Sequence, residues 1–357
     1  MFKEFLQKYN ITEKRIAVGV SGGSDSLALA LMLNDELLPL GYCVIAITVD
    51  HRLRPTSAQE AEKVAAIMAQ NGIKHYTLVW EHTSALKTGI EEAARIARYN
   101  LIENWCEQNN VKVLMTAHHL NDQVENFFIR LQRGSGLDGL CGMKESVAKN
   151  NLQIMRPLLY TNPQVMKDYL IARNIAWIED ESNMCDDFLR VKIRKFLPQF
   201  YAATEITPQR IGETMQRLLS SRNYLEHKTE QIIKSSFKNW FDYGYSCSLA
   251  VFLSFDTEMA FRVLSCLLRQ VGNNEYTPRA DSVLRLINDI KTATIKTTTL
   301  AHCCISISNK TLWILPENYN IGNYTPKAWE NYIKLNPSLK KQKLPLRLRA
   351  FILNQAK

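Results

Sequence analysis

Hydrophobic residues in the first half of the chain alternate between short continuous runs and longer stretches with helical spacing. The short runs are rich in branched side chains and predict buried strands at 16–20, 43–49, 75–80, 113–117 and 154–156. The longer stretches predict helices at 27–38, 57–70, 90–109 and 121–133, with another beginning at residue 163. Strands separated by segments of helical length predict βαβ units, and therefore an α/β fold with a parallel sheet covered on both faces.

The second half has a different pattern. It is helical from residue 190 to about residue 238, and Thr207 followed by Pro208 is typical of a helix start. Further helices are expected at 257–270 and 279–290, and strand-like composition follows at 297–300 and 311–315. Alternating leucines at 344, 346 and 348 predict one more strand. We therefore expect an α/β domain at 1–200, a helical domain at 201–292 and a small basic strand-containing domain at 293–357.

Composition and charge narrow the class of protein. The chain has 357 residues, of which 46% are hydrophobic and 22% charged, and none of its apolar runs is as long as a membrane helix requires. The N-terminus carries Lys3 and Glu4 and lacks the apolar stretch of a secretory signal, so we expect a cytoplasmic protein without a membrane partner. Its eight cysteines form no C-x-x-C pair, which argues against a zinc ribbon or an iron–sulfur centre. Residues 301–357 carry +7 of the net charge of +9, which fits either a nucleic-acid partner or a solvated tail.

A glycine- and serine-rich loop directly follows the first predicted strand and opens the first long helix. Its residues are Ser21, Gly22, Gly23, Ser24, Asp25 and Ser26. Glycines let a backbone approach a ligand closely, and a helix N-terminus favours phosphate. Because Asp25 would repel phosphate, its position indicates a bridging Mg²⁺. An ordinary N-cap after a glycine turn is the alternative, but the edge of a parallel sheet is where such folds bind ligands.

Two carboxylates follow the fourth predicted strand in the segment His118-His119-Leu120-Asn121-Asp122-Gln123-Val124-Glu125. Asp122 and Glu125 are three residues apart and therefore share one helix face. The residues alone leave three interpretations open: a capping box with Asp122 at the N-cap and Glu125 at N3, a site for an ammonium group, or a metal site.

Arg190 and Arg194 lie one helical turn apart. They either bind a phosphate jointly or form an exposed basic face.

The S-G-G-x-D-S loop resembles that of the PP-loop ATP pyrophosphatases. The pattern H-H-x-x-D-Q-x-E, followed by R-x-x-R-G-S-G-x-x-G-L from Arg130, is similar to the tRNA(Ile)-lysidine synthetases, and the similarity extends from about residue 14 to residue 200. The resemblance implies a Rossmann-like fold of the adenine nucleotide alpha hydrolase type. It also implies a ligase that adenylates the wobble cytidine of the CAU anticodon of an isoleucine tRNA and joins L-lysine to it. The product, lysidine, switches the tRNA from methionine to isoleucine specificity.

The resemblance also implies roles for individual residues. Residues 21–26 would bind ATP, with Asp25 holding Mg²⁺, and Asp122 and Glu125 would recognise lysine. His118, Arg98, Arg190 and Arg194 would position ATP or stabilise the adenylated intermediate. Two other functions remain open: a tRNA thiolase of the same superfamily, which would need a sulfur-carrying cysteine, and a non-catalytic RNA-binding protein. A homodimer is one expected assembly.

Overall fold

The computed structural model describes residues 1–81, 90–179, 188–320, 322, 324–340 and 342–356. The chain divides into two compact units, Met1–Ser220 and Ser221–Lys357. Among the described helices, none is both long and apolar enough to cross a membrane.

A six-stranded sheet forms the centre of the first unit. Its strands are β1 (Arg15–Gly19), β2 (Cys43–Asp50), β3 (Lys74–Val79), β4 (Val113–Met115), β5 (Ser146–Lys149) and β6 (Leu152–Met155). Their order is β3-β2-β1-β4-β6-β5, and only the pairing of β5 with β6 is antiparallel. The predicted parallel α/β sheet is thus confirmed.

Helices connect these strands and cover the sheet. In chain order they are α1 (Phe2–Lys8), α2 (Ser24–Leu37), α3 (Ser57–Gln70), α4 (Ile90–Gln108), α5 (Leu120–Gln132), α6 (Leu137–Leu140), α7 (Gln164–Ala172) and α8 (Phe188–Thr204). A single turn of 3-10 helix, Leu38–Leu40, follows α2. Ile16 and Val18 pack into the core on one face of the sheet, whereas Ala17 between them belongs to the core on the other. This burial on both faces explains why β1 is a continuous apolar run.

The strand order places a topological switch point at the centre of the sheet. β1 pairs in parallel with β2 on one side and with β4 on the other. The loops that follow β1 and β4 therefore leave the same edge of the sheet side by side. Open α/β sheets bind ligands in the crevice formed by such loops. The loop at 21–26 and the segment that begins at residue 116 meet at this edge.

The second unit combines helices with an antiparallel sheet. The long helix α9 (Pro208–Ser236) leads into it, and Thr207 caps that helix as predicted, because its Oγ1 accepts the backbone N–H of Arg210 at 3.3 Å. The remaining elements are β7 (Lys238–Asn239), β8 (Tyr245–Ser248), α10 (Leu249–Leu253), α11 (Thr257–Val271), α12 (Ala280–Lys291), β9 (Thr297–Leu300), β10 (Cys303–Ser308), β11 (Thr311–Pro316), α13 (Pro326–Leu335), α14 (Pro337–Lys340) and α15 (Leu346–Gln355). The sheet has the order β7-β8-β11-β10-β9. It therefore takes strands from both sides of the predicted boundary at residue 292, and the three-domain division stays a prediction.

The predicted strand around residues 344–348 is wrong. Leu346–Gln355 is a helix, in which Leu348 and Ile352 are buried one turn apart against Trp240, Trp313 and Trp329. Pro345 precedes the helix and Leu344 is buried beside it. The alternation of leucines thus spans a helix start, where it imitates the two-residue period of a strand.

Candidate functional site

The loop after β1 has the shape of a phosphate cradle. Gly22 has a positive φ of 93°, and a Cβ there would lie 2.7 Å from the Ile178 side chain, so this position requires glycine. The Ile178 N–H donates to the Gly22 carbonyl at 3.0 Å and fixes the turn. Gly23 is the N-cap of α2 and supplies no capping side chain. The first amides of the fourteen-residue helix α2 are therefore available to an anion.

The three serines of the loop have different surroundings. Ser26 is buried, its Oγ accepts the Ser21 N–H at 3.1 Å, and it donates to the Gly23 carbonyl at the same distance. Its hydroxyl therefore holds the loop closed from within. Ser21 is exposed and Ser24 is half-buried. These two hydroxyls are the ones that a phosphate can reach directly.

Asp25 lies in a chain of polar groups that joins the β1 and β4 loops. His119 Nε2 lies 3.4 Å from Asp25 Oδ2 and 3.6 Å from Asp122 Oδ2, and the His119 side chain is 14% exposed. Burial lowers the pKa of His119, but the hydrogen bond to Asp25 and the charges of Asp122, Asp25 and Glu125 outweigh it and leave the pKa raised. The His119 imidazole thus lies between two carboxylates whose charges favour its protonated form. His119 was not among the residues predicted to act, although its place after the fourth strand points to this edge.

The pKa of the neighbouring His118 is lowered, in contrast to that of His119. Burial lowers its pKa to about 4, and the charges of Arg156, Arg95 and His119 act in the same direction, whereas Asp122 opposes them. Its Nδ1 forms a hydrogen bond with Thr116 Oγ1 at 2.9 Å, which fixes the ring at the end of β4. At neutral pH His118 is therefore an uncharged hydrogen-bonding group.

The capping interpretation of Asp122 and Glu125 needs a correction. The N-cap is His119, three residues before the position that the capping interpretation gave it, so Asp122 occupies N3. Asp122 Oδ2 accepts the backbone N–H of His119 at 3.0 Å. Asp122 is therefore a capping residue, but Glu125 lies beyond the first turn and takes no part in the cap.

Glu125 is instead held by both predicted arginines. Its side chain is 4% exposed, and it accepts from Arg194 Nε at 2.5 Å and from Arg194 Nη2 at 3.2 Å. Arg190 Nε lies 3.2 Å from Glu125 Oε2. Two guanidinium groups from α8 thus surround one buried carboxylate on α5, and Arg190 and Arg194 form no free basic face.

Arg98 lies elsewhere on the same sheet edge. It is exposed on α4, and its Nε donates to His51 Nε2 at 3.3 Å, just beyond the end of β2. The structure thus places the predicted residues Asp25 and Asp122 at the cradle together with His119, Glu125 with Arg190 and Arg194 in an ion cluster, Arg98 beside His51, and His118 at the end of β4. Residues 180–187, which precede α8, lie outside the described residues.

Comparison with known proteins places the chain in a family. A family model described as a PP-loop domain matches residues 1–200. The chain is 33% identical to a tRNA(Ile)-lysidine synthase of Wolbachia pipientis wMel, over 93% of this chain and 79% of that protein. It is 32% identical to the enzyme of that name from Rickettsia prowazekii (strain Madrid E), over 89% and 73% of the respective chains.

A solved structure supports the fold. The U34-tRNA thiolase NcsA from Methanococcus maripaludis, described with its 4Fe-4S cluster, aligns with a TM-score of 0.51 at 16% identity, over 61% of this chain and 78% of that one. At this identity the likeness concerns architecture alone. The family match over more than half of the chain and the similarity to curated relatives over most of its length agree with the geometry of the cradle. The chain belongs to the tRNA(Ile)-lysidine synthase family, and its first 200 residues match the PP-loop domain.

Proposed function

We propose that this protein joins L-lysine to the wobble cytidine of an isoleucine tRNA with a CAU anticodon, with ATP converted to AMP and pyrophosphate. The observation that carries the proposal is the junction of the β1 and β4 loops. There Asp25, at the phosphate cradle, is linked through His119 to Asp122 at distances of 3.4 and 3.6 Å. Groups suited to a triphosphate and to a cationic amino acid thus lie side by side.

ATP would bind with its phosphates at the cradle. The amides at the start of α2 and the hydroxyls of Ser21 and Ser24 would hold the phosphate oxygens, while Ser26 keeps the loop in shape. Asp25 fits Mg²⁺, because this ion is commonly bound through one or two carboxylates together with substrate phosphates. Among the described residues, no three His, Cys, Asp or Glu side chains are arranged to hold a metal by themselves. When bound, Mg²⁺ would supply charge neutralisation of the phosphates.

The reaction we propose has two steps. The carbonyl oxygen of the cytidine base attacks the α-phosphorus of ATP, and pyrophosphate leaves. An unprotonated amino group of lysine then attacks the activated carbon and displaces AMP. His118 is neutral at physiological pH because burial lowers its pKa to about 4, so it would hydrogen-bond to the substrate without adding charge. Arg98, exposed beyond β2, would reach a phosphate of ATP or of the tRNA.

Lysine recognition requires a rearrangement around Glu125. Asp122 and Glu125 would hold the ammonium group of lysine that does not react, but Glu125 is already paired with Arg190 and Arg194. A buried carboxylate does not lose its cations without replacement. We therefore propose an exchange in which the arginines turn to the adenylate phosphate and the ammonium takes their place at Glu125.

The tRNA would be attracted by exposed lysines of the second unit. Lys327, Lys334 and Lys343 are exposed, whereas Arg347 and Arg349 are partly buried and donate to backbone carbonyls of Glu317 and Leu344. The two arginines are thus structural, and the lysines are the candidates for phosphate contacts. We place the reaction in the cytoplasm, where ATP, lysine and tRNA are all available.

A thiolase activity is the weaker alternative. A sulfur-carrying cysteine must be accessible and readily deprotonated. Burial raises the pKa of the Cys106, Cys247 and Cys303 thiols to about 12, with acidic neighbours adding to the effect at Cys106 and Cys303. Cys43 and Cys266 are only partly buried and Cys185 lies outside the described residues, so these are the cysteines to replace when thiolation is tested.

The adenylation step tests the proposal. With isoleucine tRNA, ATP and Mg²⁺ but no lysine, the protein should catalyse exchange of labelled pyrophosphate into ATP. The exchange should require the CAU-bearing tRNA, because its cytidine is the group that is adenylated. Exchange that proceeds equally well without RNA would contradict the proposed order of chemistry, and its complete absence with every substrate would favour a non-catalytic RNA-binding protein.

A further inference from the structure

The second unit contains a small aromatic cavity that the proposed chemistry does not use. Its volume is about 300 Å³, and its walls are formed by Phe241, Tyr332, Phe351, Ile352, Gln355 and Ala356. Three aromatic rings and one side-chain amide thus face a common space. The volume lies at the lower end of the roughly 300–1,000 Å³ typical of ligand sites, which suits a single planar ring system.

A strained turn between β7 and β8 forms one wall of the cavity. The Tyr243 N–H donates to the Trp240 carbonyl at 3.0 Å, and the two central residues, Phe241 and Asp242, both have a φ of 56°. Such positions ordinarily hold Gly, Asn or Asp, so Asp242 suits this turn, whereas a bulky Phe is an outlier. Asn239 and Asp242 exchange hydrogen bonds at 2.7 and 2.9 Å, which hold the turn closed.

Packing does not explain the ring at the tip of this turn. Phe241 is 69% exposed, so its side chain gains little from the unit's own core. Strained backbone persists where the surrounding structure enforces it, and it is concentrated at ligand sites. A strained position that presents an exposed aromatic ring over a cavity therefore points to a partner that covers the ring.

The other two rings are held rigidly. Phe351 stacks on Tyr243 with ring centroids 4.1 Å apart and an interplanar angle of 12°. Tyr332 stacks on the buried Trp329 at 5.9 Å and 24°. These contacts fix the far walls before any ligand arrives, so a flat group inserted beside Phe241 meets preformed surfaces.

Charge narrows the identity of the ligand. The six lining residues carry no charge, which suits a neutral aromatic group. Residues 301–357, which supply five of these six residues, carry a net charge of +7, and Lys238 at the base of the turn lies 3.6 Å from the centre of the Trp240 ring. The ligand should therefore be a neutral flat group that is attached to a polyanion, and a nucleobase of RNA meets both requirements. Aromatic side chains bind unstacked bases in this way, and an amide hydrogen-bonds their edges.

We propose that this cavity holds one unstacked nucleobase of the tRNA substrate, with Phe241 as the stacking platform and Gln355 as the hydrogen-bonding group at its edge. This inference rests on the proposed function for the presence of tRNA, and it adds a contact outside the catalytic unit. The contact is a stacking contact, so it should strengthen tRNA binding without adding to its salt dependence.

Equilibrium binding of transcribed isoleucine tRNA tests the proposal at several salt concentrations. Phe241→Ala should weaken binding roughly tenfold, as expected for the loss of one stacked base, with an unchanged slope against salt. Phe241→Trp should restore binding, whereas Phe241→Leu, apolar but without a π face, should not. Tyr276→Ala is the matched control, because Tyr276 is 76% exposed in the same unit but does not line the cavity.

A fold defect is separated from a binding defect by Phe241→Gly. Glycine relieves the positive φ, so this variant should melt no lower than the wild type while binding tRNA as weakly as Phe241→Ala. Unchanged tRNA affinity in all Phe241 variants would overturn the proposal. Two other results would also overturn it. In the first, AMP alone binds at Phe241 while tRNA binding is unaffected. In the second, a change in mass measured by light scattering identifies the surface as a contact between two copies of the chain. Lysidine formation at saturating tRNA is measured alongside, and its absence in the wild type would refute the proposed function instead.

Discussion

Replacement of Glu125 by Gln tests both the structural role of this carboxylate and the role in lysine binding that we propose for it. Glu125 bridges α5 and α8 through two arginines, and in the proposed reaction it later receives the ammonium group of lysine. Glutamine keeps the size of the side chain and one acceptor oxygen but removes the charge. The substitution should therefore impair both the resting ion cluster and the binding of lysine.

The size of each effect follows from the geometry. Breaking a fully buried ion pair costs about 3–5 kcal/mol. Here the arginine side chains are 31% and 36% exposed, so water compensates them in part, and we expect a loss of about 2 kcal/mol in the free energy of unfolding. Loss of one charge-assisted hydrogen bond to lysine, worth about 1.5–3 kcal/mol, should raise the KM for lysine roughly 10- to 150-fold. The KM for ATP should change much less.

Steady-state kinetics and denaturant unfolding on the same preparations provide the assay. Glu60→Gln is the matched control, because Glu60 forms a surface pair with Arg54 at 3.4 Å and should affect neither lysine use nor stability by more than about 1 kcal/mol. Arg194→Met should lower stability without raising the KM for lysine. If Glu125→Gln destabilises the protein yet leaves the KM for lysine unchanged, Glu125 is a structural anchor and the lysine assignment is refuted.

Three further variants test other parts of the proposal. Asp25→Asn should abolish most pyrophosphate exchange while leaving the melting temperature within a few degrees of the wild type, and near-normal exchange would remove Asp25 from the magnesium site. Burial lowers the pKa of His118 from 6.5 to about 4, so its contribution to stability is complete above about pH 6.5 and is lost as the pH falls towards 4. His118→Gln should flatten this part of the unfolding profile, and an unchanged profile would show that His118 titrates normally. Lys334→Gln combined with Lys343→Gln should reduce the salt slope of tRNA binding by roughly 0.9 per lost phosphate contact, whereas an identical slope would place the phosphate contacts elsewhere.

The inner strands of the sheet were predictable because they are buried on both faces. Val113 to Met115 is apolar throughout and entirely buried, and such runs stand out in a sequence. The edge strand β5, by contrast, was not predicted. Three of its four residues are exposed, and Ser146 and Lys149 give it no strand-like pattern. The spacing of apolar residues reflects which positions are buried, so a strand with few buried side chains cannot be recognised from that spacing.

The individual residues of the candidate site could be predicted from the sequence, but the contacts between them could not. The loop at 21–26 and the carboxylates at 122 and 125 follow from local spacing, as does the edge of the sheet where they meet. The ion pair between Arg194 and Glu125 joins residues 69 positions apart, and no local rule relates them. His119 was missed for a similar reason, because its significance comes from Asp25 on another loop.

Mass analysis of the tRNA shows directly whether lysine is joined to the anticodon cytidine. Wild-type protein is incubated with isoleucine tRNA bearing CAU, ATP, Mg²⁺ and isotope-labelled lysine, and the RNA is digested for mass spectrometry. We expect a cytidine from the anticodon that has gained one labelled lysine with loss of water, and no such product from Asp25→Asn. Unmodified cytidine under these conditions, or a cytidine in which sulfur has replaced oxygen, would contradict it.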